Sequence, residues 1–448
     1  MSDITRKEFL KKTGKVAALG SLLYLTGCGS LLTDGDEEIP PEVVDEFTGE
    51  LSLLLGSHMD YVQEQSSDYE AEYGVRPSEE LVTTADLIAK LQSSFIAQTS
   101  PWDAVFTIPE AVVHNAEQDW LVDLTDKIAN SPVLSGTDYT LIESGLHGGM
   151  YNGRNFGVPI SVGCPIMLWN KKMLEDNDLD PEAPNNWHSI QNSWDDFVEY
   201  AVKMTKVVNG VQQYGMIETF GAPSAITGYF MTLIQMHGGD VMDDDNQPVM
   251  NSDAGIESLQ KMVDLLHTHK CMDPASITHA WVFDAAPAFV DGNRGFFITW
   301  PFMVGVAGND PEAGTYQNVG FAPNPAVDTS ASRDGSEYFS IPVFAENQEE
   351  AWRWIELVAS PEAQRFQGAN TGWAPIYEEL MVDDEVVGNL ITAPTILQSY
   401  QYPVKSYRTS GFARWNVILA DQLHEALAER KSPKEALDDA ARLIREAL

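Results

Sequence analysis

The 448 residues are more than one ordinary hydrophobic core organises, so two lobes are expected. Hydrophobic residues at 44% and aromatics at 10% supply material for burial, while 27 basic against 67 acidic side chains leave a net charge of −40. That balance excludes nucleic acid and anionic membrane surfaces as partners, and the even spread of the acids reads as a solvated, salt-adapted shell.

Five bases, Arg6, Lys7, Lys11, Lys12 and Lys15, precede the apolar run 16–25. The run is too short to span a bilayer and reads as a signal peptide over 1–27. Thr5-Arg6-Lys7-Glu8-Phe9-Leu10-Lys11 resembles a twin-arginine export motif with Lys at its second basic position, and Leu25-Thr26-Gly27-Cys28 resembles a lipobox. Cleavage there would leave Cys28 as the lipidated residue, followed by an acidic, aperiodic tether over 28–47. Cys164 and Cys271 read as buried free thiols.

Glu50 to Gly56 reads as a buried strand, and Ser57-His58-Met59 as the loop at its carboxyl end, where open α/β sheets place ligands. A helix is expected over 85–98 and a strand over 102–108. Pro109-Glu110 then starts a helix, putting Glu110 at a strand end and a helix N-terminus together. Asn152-Gly153 between β-formers is a two-residue hairpin signal. Val158 to Ile160 and Ile166 to Trp169 are two extended runs broken by Ser161-Val162-Gly163-Cys164-Pro165, as in a chain leaving one sheet for another. Asn170 begins a helix. The runs 214–217, 318–325 and 335–343 read as strands, and 289–302 as a helix end, a turn and a strand reaching Trp300-Pro301-Phe302. Asp243 to Pro248 has Pro where a calcium loop needs Gly. His267 and His269 read as the end of a helix rather than metal ligands. From Tyr402 the chain reads as helical, with a break and N-cap at Lys431-Ser432-Pro433.

Several segments, in order, resemble the extracellular solute-binding proteins of ABC importers, in their carbohydrate-type, maltose-binding-protein-like group. They are Trp102-Asp103-Ala104-Val105-Phe106, Gly157-Val158-Pro159-Ile160 with Trp169-Asn170-Lys171, and Trp194-Asp195-Asp196-Phe197. Gly238-Gly239-Asp240, Ser340-Ile341-Pro342, Ser360-Pro361-Glu362-Ala363 and Ser432-Pro433-Lys434-Glu435-Ala436-Leu437 continue the match. The resemblance implies an α/β, two-lobe, type II periplasmic-binding-protein fold with hinge crossovers and a central cleft. It divides the chain into 48–161 plus 326–376 for lobe 1 and 162–325 plus 377–448 for lobe 2. It implies a binding protein rather than an enzyme, with no cofactor, exported and lipid-anchored at the outer face of the cytoplasmic membrane. The partners it implies are a small solute, most simply a mono- or oligosaccharide, and the permease of an ABC transporter.

A sugar presents apolar C–H faces, which aromatic rings cover, and hydroxyls, which carboxylates and amides satisfy. By position in the resemblance, Phe302 and Trp415 are the stacking rings and Glu110 the hydroxyl acceptor. Ser161, Gly163 and Cys164 line the crossover, His58 follows the first strand, and Trp300, Tyr338 and Trp373 lie in contact-bearing loops. Gly163 stands where the maltose-binding pattern has a ligand-contacting acid, and Thr107 where it has a Trp, so the sugar itself does not carry over. Two alternatives stand beside this reading: a non-sugar solute in the same role, and a secreted glycan-active enzyme using Glu110 and Glu337 as paired carboxylates.

Overall fold

A computed structural model describes residues 50–59, 62–136, 138–243, 245–406 and 411–448. The signal-peptide, lipobox and tether expectations, Cys28 included, lie outside the described residues. Ten strands carry the architecture. They are β1 Ser52–Gly56, β2 Ser78–Val82, β3 Ala104–Thr107, β4 Val158–Ser161, β5 Ile166–Asn170, β6 Lys206–Val208, β7 Val211–Ile217, β8 Arg294–Thr299, β9 Val319–Ala322 and β10 Glu337–Ser340.

One sheet has the order β2-β1-β3-β10-β4 and the other β9-β5-β8-β7-β6. β1 pairs parallel with β2 and β3, and β10 runs antiparallel to both β3 and β4. In the second sheet β8 is parallel to β7 and antiparallel to β5, and β9 is antiparallel to β5. The inner strands β3 and β5 read as apolar runs because both their faces are covered: all of each is buried, as is the edge strand β4. The hairpin expected at Asn152-Gly153 is present, with both residues at positive φ (49° and 74°) between Met150–Tyr151 and Arg154–Asn155.

Each sheet has its own core. Lobe 1 packs Leu53, Leu54, Phe106, Phe339 and Trp354, and lobe 2 packs Trp169, Phe197, Phe230 and Phe296. The cores redraw the expected limits at two places. Leu380, Met381, Val386, Leu390, Ala393 and Ile396 pack into lobe 1, so the chain returns to lobe 2 only after 396 rather than at 377. Val327 and Ala331 pack into lobe 2, moving that boundary from 326 to beyond 331.

The helix expected from Tyr402 starts instead at Phe412. Pro403 has no N–H to give a helix, and the following Val404–Lys405 is extended and pairs parallel with Ser332–Arg333. A polar helix at Val62–Tyr73, which the sequence reading passes over, covers lobe 1 through Val62 and Tyr69.

Candidate functional site

Strand directions decide where a ligand can sit. In lobe 1 the carboxyl ends of β1 to β4 and the amino end of β10 share one edge, as the pairing of Glu337 with Ser161 records. In lobe 2 the carboxyl ends of β7, β8 and β9 share an edge with the amino end of β5, where Thr299 pairs with Ile166. The chain passes from β4 to β5 through 162–165, so these two edges meet at the crossovers. Ligands of open α/β sheets bind outside the carboxyl ends of strands, and here two such edges face one gap.

The lobe 1 wall is built at the end of β1. Gly56 leaves room for the His58 ring, which a side chain there would strike at 2.5 Å. The ring stands edge-on to Phe106 at 5.4 Å and tilted against Trp373 at 5.2 Å. Its Nε2 is 2.8 Å from Glu337 Oε1, while Glu337 Oε2 is shut off from solvent with no partner among the described residues. A shielded carboxylate oxygen without a donor is costly unless something else supplies one.

The lobe 2 wall follows β7 and β8. Glu218, 2% exposed, accepts the Ile298 N–H at 3.0 Å. Burial raises its carboxyl well above the usual range, against the pull of the Ile298 and Thr219 N–H groups and of Arg333. Trp300 is half-buried, and the Arg333 guanidinium lies over its ring at 5.0 Å. Beyond it Phe302, 41% exposed, tilts against Phe283, 56% exposed, at 5.7 Å.

Between the walls run the crossovers. Tyr400 accepts the Gly163 N–H at 3.0 Å, and its hydroxyl also lies 3.1 Å from Gly163 O. Gly335 donates to Gly163 O at 2.8 Å, and Ser332 to Pro165 O at 2.7 Å. Asp334, 4% exposed, accepts from the Ser336 hydroxyl and N–H and stands 3.4 Å from the Tyr400 hydroxyl. Burial pushes its carboxyl up to about 6 against those hydrogen bonds. Glu110, at the amino end of helix Pro109–Glu117, is pushed up to about 7 by burial. Its own backbone N–H and the Arg333 charge oppose that rise, and Asp334 adds to it.

The structure therefore brings His58, Glu110, Gly163, Trp300, Phe302 and Trp373 to the facing edges, and it draws four expected residues away. Trp415 is 1% exposed in the lobe 2 core, edge-on to Phe412 at 5.0 Å, so its ring has no open face for stacking. Tyr338 is wholly buried under lobe 1 with its hydroxyl donating to Gly145 O. Cys164 points into a buried cluster with Ile166 and Phe289, its thiol pushed up to about 12 by burial. Ser161 donates its hydroxyl to Ala374 O at 3.2 Å, tying β4 to the loop of Trp373 rather than facing the gap. Cys164 and Cys271 are both free and buried.

The sequence reading missed Glu218, Arg333, Asp334 and Tyr400 as site groups. Glu218 carries a usable signal, an acid directly after the apolar strand end Met216-Ile217. Arg333 and Asp334 sit in a short irregular crossover whose neighbours come from distant parts of the chain. His267, set aside as a metal ligand, meets Leu427 O at 2.7 Å, and among the described residues no His, Cys, Asp and Glu side chains cluster to hold a metal ion.

A family model described as bacterial extracellular solute-binding protein matches residues 55–365, well over half the chain, and the chain belongs to that family. Among solved structures, a maltose-bound T. maritima protein superimposes with a TM-score of 0.75 at 20% identity, covering 89% of this chain and all of the other. A ribitol complex from Agrobacterium radiobacter gives a TM-score of 0.74 at 18% identity, over 89% of this chain and 98% of that one. By sequence the chain is 24% identical, over 71% of its length and 70% of the relative's, to a probable amino-acid ABC transporter periplasmic-binding protein of Sinorhizobium fredii. An arabinooligosaccharide-binding protein of Halalkalibacterium halodurans is 27% identical over 29% of this chain and 26% of its own. The protein is thus an extracellular solute-binding protein of the two-lobe type II fold.

Proposed function

We propose that the protein captures a small solute, a mono- or oligosaccharide, in the gap between its two sheet edges and hands it to the permease of an ABC importer. The observation that carries this is the pairing of surfaces at those edges. Trp373, Trp300 and Phe302 offer rings for C–H faces, while Glu110, Glu218, Glu337 and Arg333 offer hydroxyl partners. Maltose and ribitol in the structural relatives fit the same chemistry. A solute touching both walls favours the state in which the walls are close, by its differential affinity for that state. Binding and release suffice for this role, and no bond of the solute need break.

Cys28 lies outside the described residues, and its Leu-Thr-Gly-Cys context supports export and a lipid anchor. One observation favours a second solute class: Arg333 is the group that would take the carboxylate of an amino acid, the solute named for the Sinorhizobium fredii relative. Calorimetry against a panel of neutral sugars, polyols and amino acids separates the two. Saturable heat with unchanged sugar supports the first reading. Heat from amino acids alone supports the second, and steady hydrolysis of a glycan overturns both.

A further inference from the structure

Arg333 is unlike most arginines of this acidic chain. Arg76, Arg154, Arg294, Arg353, Arg365, Arg430 and Arg442 each form an ion pair with a carboxylate within 4 Å. Arg333 forms none among the described residues; neither do Arg414 and Arg445, but those two are exposed and donate to the main-chain carbonyls of Ala447 and Pro248. The one side-chain hydrogen bond of Arg333 runs from Nη1 to Ser224 O at 3.2 Å. Yet it is half-buried and held in place on two sides. The Trp300 ring lies beneath it, and Gly228 leaves the space it fills, since a Cβ there would stand 2.6 Å from Nη1 and 2.8 Å from Cζ.

A guanidinium so held presents donors in a fixed fork and no acceptor. Its charge acts on two carboxyls, Glu110 from lobe 1 and Glu218 from lobe 2, without pairing directly to either. The gap between such groups suits a partner that accepts on one side and donates on the other, which is what a hydroxyl does. Charge counting around it goes further. Three carboxyls, of Glu110, Asp334 and Glu218, share the neighbourhood of this one guanidinium, so acids outnumber bases there. A ligand carboxylate or phosphate would bring a further acid to a place where acids already outnumber the single base.

We propose that Arg333 is a ligand-contacting residue that, opposite Glu110, brackets adjacent hydroxyls of an uncharged sugar or polyol, and that this arrangement rejects the acidic counterpart. This rests on the sugar reading above and sharpens it to neutral solutes.

The test is calorimetry on the full mature chain with maltose, ribitol, D-mannitol and D-tagatose as neutral probes and galacturonate as the charged one. At least one neutral probe binds, and galacturonate binds at least tenfold more weakly. Arg333→Met then weakens the neutral probe by roughly 10- to 100-fold, the range for losing a charge-assisted hydrogen bond. Gly228→Ala keeps the charge, pushes the guanidinium off its ledge and weakens binding by about tenfold, with melting unchanged because the displaced atoms end a flexible side chain. Neutral binding with wild-type affinity in both variants overturns this inference and leaves the sugar reading standing. Preference for galacturonate overturns the rejection of charge. Silence from every neutral probe overturns the sugar reading and this inference together.

Discussion

Tyr400 holds both backbone groups of Gly163. Its hydroxyl accepts the Gly163 N–H at 3.0 Å and lies 3.1 Å from the Gly163 carbonyl, so the third crossover is latched to the first. The same oxygen stands 3.4 Å from Asp334 on the second crossover. All three connections between the lobes therefore meet at one phenol, and its loss is felt at each. Tyr400→Phe strands the Gly163 N–H and removes a donor from a buried carboxylate. It should lower the unfolding free energy by about 1–3 kcal/mol in urea titration. An unchanged midpoint would show that water serves the knot as well as the phenol does.

Gly335 gives a sharper steric test. A methyl group there would stand 2.3 and 2.4 Å from two ring atoms of Trp300, and an indole has no flexible end to yield. Gly335→Ala must push the ring outward and take the Arg333 shelf with it. Sugar affinity should fall about tenfold or more while the two cores stay intact, because the strain of about 1–3 kcal/mol falls on the wall. Titration calorimetry with a thermal melt reads both effects.

Glu110 makes stability depend on pH in a stated direction. Its carboxyl titrates near 7 in the folded protein against 4.5 for the free group, so the folded state holds the proton more tightly. Between those values the folded state binds more protons than the unfolded one, and this group's contribution to stability falls as pH rises. Glu110→Gln removes the dependence. The variant should match the wild type near pH 5 and exceed it by about 1–3 kcal/mol at pH 8. Urea titrations at the two pH values decide it, and a variant less stable at pH 8 contradicts the burial argument.

The strand ends were legible in the sequence, and the side of each helix was not. Ser52–Gly56, Ala104–Thr107 and Ile166–Asn170 stand where unbroken apolar runs placed them, and with them His58, Glu110 and Gly163. An apolar run with a Gly or Pro boundary fixes a strand and its last residue almost by itself. Trp415 went astray because helix Phe412–Leu427 has buried residues at Trp415, Asn416, Leu419 and Leu423, and nothing in that spacing says whether core or cleft lies opposite. The helix Val62–Tyr73 was passed over because its sequence, rich in Gln, Ser and Glu, has little apolar periodicity. Arg333 owes its place to Trp300 and to Ser224 and Gly228 of one helix, two distant parts of the chain, and no local pattern carries such a meeting.

The charge of −40 sets an expectation for salt. Exposed pairs such as Lys434 with Asp438 and Arg442 with Glu446 each contribute little, and salt weakens them. Screening the self-repulsion of the whole acidic surface is the larger effect, since the Debye length shrinks from roughly 10 Å at 0.1 M to about 3 Å at 1 M. The melting temperature should rise as sodium chloride increases over that range. A fall would show that the surface pairs outweigh the repulsion.

Capture by closure of one lobe on the other is most directly tested by small-angle X-ray scattering of the protein with and without a saturating neutral sugar that calorimetry shows to bind. The radius of gyration should fall by about 1 Å and the scattering curve should change shape as the gap shuts. A saturated complex whose curve overlays that of the free protein would contradict capture between the lobes.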